Sequence, residues 1–328
     1  LYELIVLNLI YFILWSFLAF LVQTLISSPY VGLFVMIVLL IGIPLLGLAG
    51  IEQSIFKYTQ GPGFSYSDMN GYGDTLNRYF IYKTYWFSLG IVFFILTSLF
   101  YFRGLPSNFK ERVLIAKSRF NGKYPFFISL FTLIFLSSGT YIYYTNNILN
   151  KRTSSKESEL QTVEGEKKYK KYEAYAQPRI VSVNVDVDIS PKTRDLSASG
   201  EYLMINKTQE SIDSIFLDHN SLISTFKFNK ENNLVLEDTI YNLDIYKLKS
   251  ALKPEDSLKL EFSIKNKPNT ILRNNSSVIS NGTFINSSIF PSLGYQLGEL
   301  RDDKTRKKYG LPKNKLKPHP SDSTALGN

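Results

Sequence analysis

The sequence lacks cysteine altogether and contains only two histidines, His219 and His319. A disulfide framework and a thiolate metal site are therefore excluded, and little imidazole is left for metal binding or acid–base catalysis. The zinc-helix motif H-E-x-x-H, the nucleophile elbow G-x-S-x-G and the phosphate-binding P-loop are also missing. We accordingly assign no catalytic, cofactor-binding or metal-binding residue in this sequence, and we expect both histidines to be surface residues.

Long apolar runs without charge dominate residues 1–144. Four of them have about the 17–25 residues that a membrane-spanning helix needs, and they cover residues 4–26, 31–51, 85–102 and 124–144. No Asp, Glu, Lys or Arg interrupts them, so we predict four transmembrane helices instead of buried helices of a soluble protein or a cleaved signal peptide. Pro44 should kink the second helix. The lack of charge within the runs gives no sign of an ion or proton pathway.

Loop charge predicts the orientation of these helices. Segment 103–123 carries six basic residues against Glu111 alone, a net charge of +5, whereas the charges of segment 52–84 cancel. The positive-inside rule therefore places 103–123 in the cytoplasm, and it places 52–84 and everything after residue 144 outside. In the outer loop we expect Asp74 to cap a short interfacial helix and Lys83 to snorkel toward solvent. An aromatic belt at the outer headgroups is expected from Tyr79, Tyr82, Tyr85 and Trp86.

Polar and charged residues dominate after residue 144. Residues 145–176 are rich in Lys and Glu and are interpreted as a charged linker, helical over 164–175. Its basic cluster, Lys167, Lys168, Lys170 and Lys171, is expected to lie on a solvated face rather than to contact anionic lipid. The net charge of +9 arises from such scattered residues, and no compact basic domain with a recognition motif indicates a nucleic-acid partner.

Strict alternation of apolar and polar residues begins at "VSVNVDVDI", residues 181–189. This pattern is typical of a half-buried strand with one wet face. The wet face explains Asp186 and Asp188 better than a calcium site, which would gather six to eight oxygens. Further strands are predicted at 196–204, 212–217, 222–228, 234–240 and 258–264, and they suggest an antiparallel sandwich over 177–290. Residues 291–328 show no alternation and are interpreted as a connector and tail.

The order of these segments resembles a family of fused bacterial proteins. The stretches "SDMNGYG", "YKTYWFSL" and "YFRG" accompany the helices, and "NGTFINSSIFPSLGYQLGELRDDKTRKKYGLP" follows the β module. Together they look like fusions of an ABC-transporter permease with a zinc metallopeptidase similar to membrane alanyl-aminopeptidases. Because the chain opens on Leu1 inside an apolar run, we also expect it to be part of a longer protein.

The resemblance implies a role for each segment. Residues 1–144 would be the last four helices of the permease half, and residues 177–290 would be the N-terminal β domain that shapes the extracytoplasmic peptidase cleft. The family's catalytic motifs, G-x-M-E-N and H-E-x-x-H, are absent here. Zinc is therefore expected only in a catalytic domain beyond Asn328, and no catalytic residue is carried over.

The resemblance also implies partners and a location. The lipid bilayer, an ABC ATPase subunit and other permease helices would be partners, and a peptide substrate would require the catalytic domain. The protein would lie in the bacterial inner membrane with residues 145–328 in the periplasm. The alternative left open by the residues is a non-enzymatic, membrane-anchored extracytoplasmic module for binding or assembly.

Overall fold

The computed structural model describes residues 7–69, 71–73, 75–102, 109–150, 152–219, 223–266, 278, 283 and 285–313. These residues form two compact units, with the chain passing from the first to the second after Arg152. Each unit has a buried hydrophobic core of its own. The helix cap predicted at Asp74 and the histidine at His319 lie outside the described residues.

The first unit is helical. Its elements are α1 (Asn8–Leu25), α2 (Pro29–Leu45), α3 (Thr75–Phe100), α4 (Phe109–Arg119) and α5 (Lys123–Tyr143), and α5 continues as a π-helical turn over Tyr144–Leu149. The core lies where α1, α3 and α5 meet.

Side-chain contacts give the directions of the three core helices. Tyr79 near the start of α3 hydrogen-bonds the carbonyl of Leu7 before α1, and Phe94 farther along α3 packs on Phe17 of α1. The two helices therefore run parallel. In contrast, Ser98 near the end of α3 lies 3.2 Å from the hydroxyl of Tyr124 at the start of α5, so α5 runs antiparallel to α3.

Among the described residues, three helices rather than the predicted four are long and apolar enough to cross a membrane: α1, α3 and α5 with its π-helical extension to Leu149. The run at 31–51 was predicted as a full span, but α2 has only 17 residues. Its end has a local cause, because Pro44 lacks a backbone N–H and Gly50 adopts a φ of 87° that L-residues rarely reach. The amide of Ile51 then donates to the carbonyl of Leu46 and closes the turn.

The described residues of the second unit contain two four-stranded sheets and two α-helices. The strands are β1 (Arg179–Ser190), β2 (Asp195–Ile205), β3 (Ile212–Asp218), β4 (Ile223–Phe228), β5 (Asn232–Asp238), β6 (Leu243–Leu252), β7 (Ser257–Asn266) and β8 (Ser292–Leu293). One sheet has the order β1-β2-β7-β4, the other has the order β5-β6-β3-β8, and the neighbouring strands pair antiparallel. Alternate residues of both sheets form one buried cluster, as in a sandwich.

This unit is not purely β, because α6 (Ser155–Tyr169) and α7 (Asp303–Lys308) belong to it. The predicted helix at 164–175 starts too late. Ser154 and Glu157 form a capping box, in which each side chain accepts a hydrogen bond from the other residue's backbone N–H, and this box starts α6 nine residues earlier than predicted. Val163, Glu166 and Tyr169 are buried, so part of the predicted linker contributes to the core.

Candidate functional site

The aromatic residues at the start of α3 are buried instead of forming an exposed belt. Tyr79, Tyr82, Tyr85 and Trp86 are each less than 9% exposed. Their polar atoms hydrogen-bond within the unit. The Tyr85 hydroxyl donates to the carbonyl of Ile55 over 3.2 Å, and the Trp86 indole N–H donates to the carbonyl of Gln60 over 2.6 Å. The sequence did not reveal these partners, because they are backbone carbonyls of an irregular segment.

Lys83 is the central charge of this cluster. It lies inside α3 and is buried, so the prediction of a snorkelling lysine at the end of an uncharged span is wrong. Its Nζ donates to the carbonyl of Thr59 over 2.9 Å and lies 5.1 Å from the ring centre of Tyr79. Both contacts stabilise an ammonium that is out of water. An ionisable residue within a helix that is long and apolar enough to span a membrane is a common marker of function.

Thr59 adopts an unusual backbone conformation to reach this lysine. Its φ is 65°, a region that β-branched residues rarely occupy, and its hydroxyl is buried without a hydrogen-bond partner. A strained residue of this kind persists only where the surroundings hold it. Here the neighbouring Tyr58, whose hydroxyl donates to the carbonyl of Leu14 over 2.6 Å, provides that hold.

A mainly apolar groove of ≈ 430 Å³ runs beside this cluster between α1, α3 and α5. Its polar lining residues are Lys83, Thr84 and Ser88. Such a groove is suited to hold an apolar chain, and the polar groups would orient only one end of it. It offers no paired nucleophile and base for covalent chemistry among these three side chains.

The second cluster of titratable groups lies in the sandwich around His219. This residue was predicted to be a surface histidine, but its side chain is only 15% exposed. Its Nδ1 lies 3.3 Å from the hydroxyl of Ser224 on β4, and its Nε2 lies 3.6 Å from a carboxylate oxygen of Asp244 on β6. Three residues from both sheets therefore meet in one polar network.

The residue types of this network are those of a hydrolytic triad, but the geometry differs. Both contacts exceed the usual reach of about 2.6–3.2 Å between nucleophile, base and orienting acid. Ser224 is paired in the regular ladder with β7, opposite Ile264, and not on a sharp turn that would expose its hydroxyl. The network is better suited to bind the two sheets together than to attack a substrate.

Two further groups set the electrostatics of this network. Burial and the charge of Asp244 raise the pKa of Tyr246 to about 12, so that its hydroxyl stays protonated and donates to Asp244 over 3.4 Å. Burial also raises the pKa of Asp218 above its ordinary value of 3.8, and the neighbouring His219 lowers it in part. One carboxylate oxygen of Asp244 is buried without a hydrogen-bond partner.

A metal site does not fit the described part of the chain. No group of three or more His, Asp or Glu side chains there could hold a metal ion. Asp186 and Asp188 are exposed on β1, which is an edge strand of its sheet. The zinc that the resemblance implies therefore has no ligand set among these residues.

The predicted basic cluster of the linker is engaged in ion pairs. Lys168 lies 2.9 Å from Asp238 of β5, and Lys170 lies 2.8 Å from Glu299. Tyr169 between them also donates to Asp238. These contacts hold α6 against its own unit and leave these lysines less suited to bind lipid.

Comparisons with known proteins add little. No family model matches the chain, and no curated protein matches it. Two solved structures show some similarity: a two-domain M1 zinc metallopeptidase mutant bound to L-tryptophan, and an M1 zinc metallopeptidase mutant from Deinococcus radiodurans bound to a Tyr-Ser-Ala substrate. Each is 14% identical over 28% of this chain and 21% of its own, with a TM-score of 0.24. The chain thus spans about a fifth of these proteins, and a likeness at that level establishes neither a shared fold nor a shared activity.

Proposed function

We propose that this chain is an integral membrane protein whose helices hold a β-sandwich at the outer surface of a bacterial inner membrane. The observation that carries the proposal is the surface of the helical unit. Large apolar side chains stand exposed along α1, α2 and α5, including Phe12 at 62%, Phe34 at 65% and Leu133 at 65%. A soluble protein would bury a continuous surface of this kind, whereas a bilayer covers it.

The directions of the core helices agree with the proposed topology. Since α1 and α3 run parallel, the chain between them must return across the unit, and α2, an apolar helix of 17 residues that is shorter than the three candidate spans, would provide that return. With segment 103–123 in the cytoplasm, α5 would run outward and deliver the sandwich to the outer side.

The membrane location is tested by washing isolated membranes with alkaline carbonate. The full chain should stay in the pellet and should need detergent for release. Its appearance in the carbonate supernatant would overturn the proposal.

In its finer form, we propose that the chain belongs to a permease–aminopeptidase fusion, in which the sandwich forms one wall of the peptidase cleft. The support is the order of segments and the sequence stretches described above. The role of this chain would be to anchor the peptidase in the membrane and to restrict access to its cleft, because its own polar networks are internal to each unit. The zinc chemistry and the transport partners would belong to other parts of the protein.

The product of the complete gene tests this finer proposal. Purified in detergent, it should release N-terminal residues from short peptides, and a zinc chelator should abolish the release. Absence of this activity, or activity that is insensitive to the chelator, would contradict the fusion and leave the membrane location untouched.

A further inference from the structure

Helix α4 carries two arginines that reach the ends of two other helices. Arg112 is buried and donates to the carbonyl of Thr24 over 2.7 Å and to the hydroxyl of Ser27 over 3.2 Å, at the carboxyl end of α1. Arg119 donates to the carbonyl of Tyr101, which follows the carboxyl end of α3. Each cation meets the free carbonyls and the partial negative charge of a helix carboxyl terminus.

The spacing of these arginines fixes how α4 lies. They are seven residues apart, a rise of about 10.5 Å along the helix, which matches the roughly 8–10 Å between the axes of packed helices. Because α1 and α3 run parallel and residues at both of their carboxyl ends, including Ser27 and Tyr101, line one pocket with Arg112, α4 lies across their ends. In a membrane this direction is parallel to the bilayer surface.

The surface of α4 carries an apolar strip and a basic strip side by side. Beside the buried Arg112 runs an exposed apolar stripe that includes Phe109, 60% exposed, and Val113, 40% exposed. At about 100° per residue, Lys110 and Lys117 share the next strip of the helix surface, and both are exposed. Leu114, 66% exposed, and then Ser118 lie beyond them, on the side away from the stripe.

We propose that α4 lies in the cytoplasmic interface and binds anionic lipid headgroups through Lys110 and Lys117. In this position Phe109 and Val113 enter the acyl-chain region, and the lysine stems carry their charges up to the phosphates. Anionic lipids in the inner leaflet supply the complementary charge. The inference rests on the proposed membrane location and orientation, and it adds a lipid class and the residues that recognise it.

A labelling experiment tests where α4 lies. Because the chain has no cysteine, Val113→Cys and Ser118→Cys each take a nitroxide label at one position of the full chain in vesicles. The label at 113 should collide mainly with oxygen dissolved in lipid, and the label at 118 mainly with a water-soluble nickel complex. Equal water access at both positions would overturn the proposal, as would shielding of position 113 only after an ATPase subunit is added.

A lipid-selectivity experiment tests the lysines. Spin-labelled phosphatidylglycerol should associate with the full chain more strongly than spin-labelled phosphatidylcholine. Lys110→Gln with Lys117→Gln should lower that preference by about fivefold for each lysine, roughly 25-fold together at low salt.

The matched control is Lys247→Gln with Lys249→Gln, which removes two exposed lysines from the sandwich. This control should keep the full lipid preference. An unchanged preference in the α4 variant would overturn the proposal, and the position-113 label in that variant shows whether α4 is still in place. Release of the parent chain by carbonate would instead overturn the membrane location itself.

Discussion

At the scale of single residues, the buried ion pair between Glu166 and Arg306 links α6 to the α7 region. The two guanidinium nitrogens donate to the two carboxylate oxygens over 2.6 and 3.0 Å, and both side chains are only 1% exposed. Arg306→Met would leave a buried carboxylate with Lys170, 3.5 Å away, as its remaining cation. We expect a loss of about 3 kcal/mol in the free energy of opening, measured by hydrogen exchange of α7 amides in the detergent-solubilised chain.

A second ion pair between the same helices provides the control. Lys308 and Glu159 lie 3.3 Å apart, but the lysine side chain is mostly exposed. Lys308→Gln should therefore change exchange in α7 only marginally. Equal effects of the two variants would show that burial of the Arg306 pair has no energetic importance. The double variant Glu166→Met with Arg306→Met should be more stable than Arg306→Met alone, because no charge is left buried.

The raised pKa of Asp218 predicts a pH dependence of stability. Since its carboxylate is disfavoured in the fold, its contribution to stability is greatest below pH 3.8 and is lost as the pH rises through the higher folded value. Asp218→Asn should therefore make the protein more stable than the parent at pH 7, and the difference should vanish below pH 3.8. Hydrogen exchange of β3 amides at the two pH values measures this.

The control for that prediction is Asp213→Asn in the same strand. Asp213 is exposed and lies 3.9 Å from Lys247, so its replacement should change little at either pH. A variant of Asp218 that is less stable than the parent at pH 7 would contradict the argument.

Residue chemistry was the least predictable from the sequence. Lys83 was recognised as a charge next to an apolar run, but its burial depends on Thr59, which lies in an irregular segment with no periodic pattern. His219 has an acid beside it in sequence, whereas its actual partners, Ser224 and Asp244, come from other strands. Contacts between distant segments of this kind leave no trace in local spacing.

At the scale of secondary-structure elements, the close approach of α1 and α3 depends on Gly90. Gly42 in α2 has open space around it, whereas a Cβ at Gly90 in α3 would lie 2.9 Å from Phe17 of α1. Gly90→Ala should therefore push α1 and α3 apart and lower the thermal midpoint in detergent. Gly42→Ala should be neutral or slightly stabilising, because alanine is the better helix former.

Thermal unfolding followed by tryptophan fluorescence measures both variants, since Trp15 and Trp86 lie in this unit. The expected change for Gly90→Ala corresponds to roughly 1–3 kcal/mol, the usual cost of overpacking a core. Identical midpoints for the two variants would show that the helices adjust to the added methyl group without strain.

The strands show which elements the sequence could predict. Strict alternation of apolar and polar residues predicted β2 and β7 nearly at their observed bounds. The strand β6 was missed, although it lies between β5 and β3 in its sheet, because lysines and serine interrupt its buried positions. Conversely, β1 has the clearest alternation but is an edge strand, and Val183 remains 57% exposed. Alternation reports that one face is apolar, but not whether another sheet covers that face.

At the scale of the whole molecule, the division into an apolar helical unit and a sandwich followed from hydropathy and period alone. The number of described helices that are long enough to span a membrane did not, because the length of an apolar run ignores how Pro44 and Gly50 end a helix. The zinc chemistry that the resemblance implies has no ligand set among the described residues, and the polar networks described above are internal to the two units.

The orientation of the whole chain is the prediction on which its proposed role depends most. Single cysteines at Ser65, Thr193 and Ser118 sample the 52–84 loop, the sandwich and α4 in a chain that has no other thiol. The net charge of +5 on segment 103–123 places Ser118 inside and the other two positions outside. A membrane-impermeant thiol reagent added to intact spheroplasts should therefore modify Ser65→Cys and Thr193→Cys, and it should modify Ser118→Cys only after lysis.

Labelling of Ser118→Cys alone would invert the topology and place the sandwich in the cytoplasm. Labelling of Ser65→Cys without Thr193→Cys would mean that the chain crosses the bilayer once more between the two units. Because α5 is the only described element that could carry the chain outward after α4, the paired labelling of 65 and 193 is the result that a sandwich on the outer surface requires.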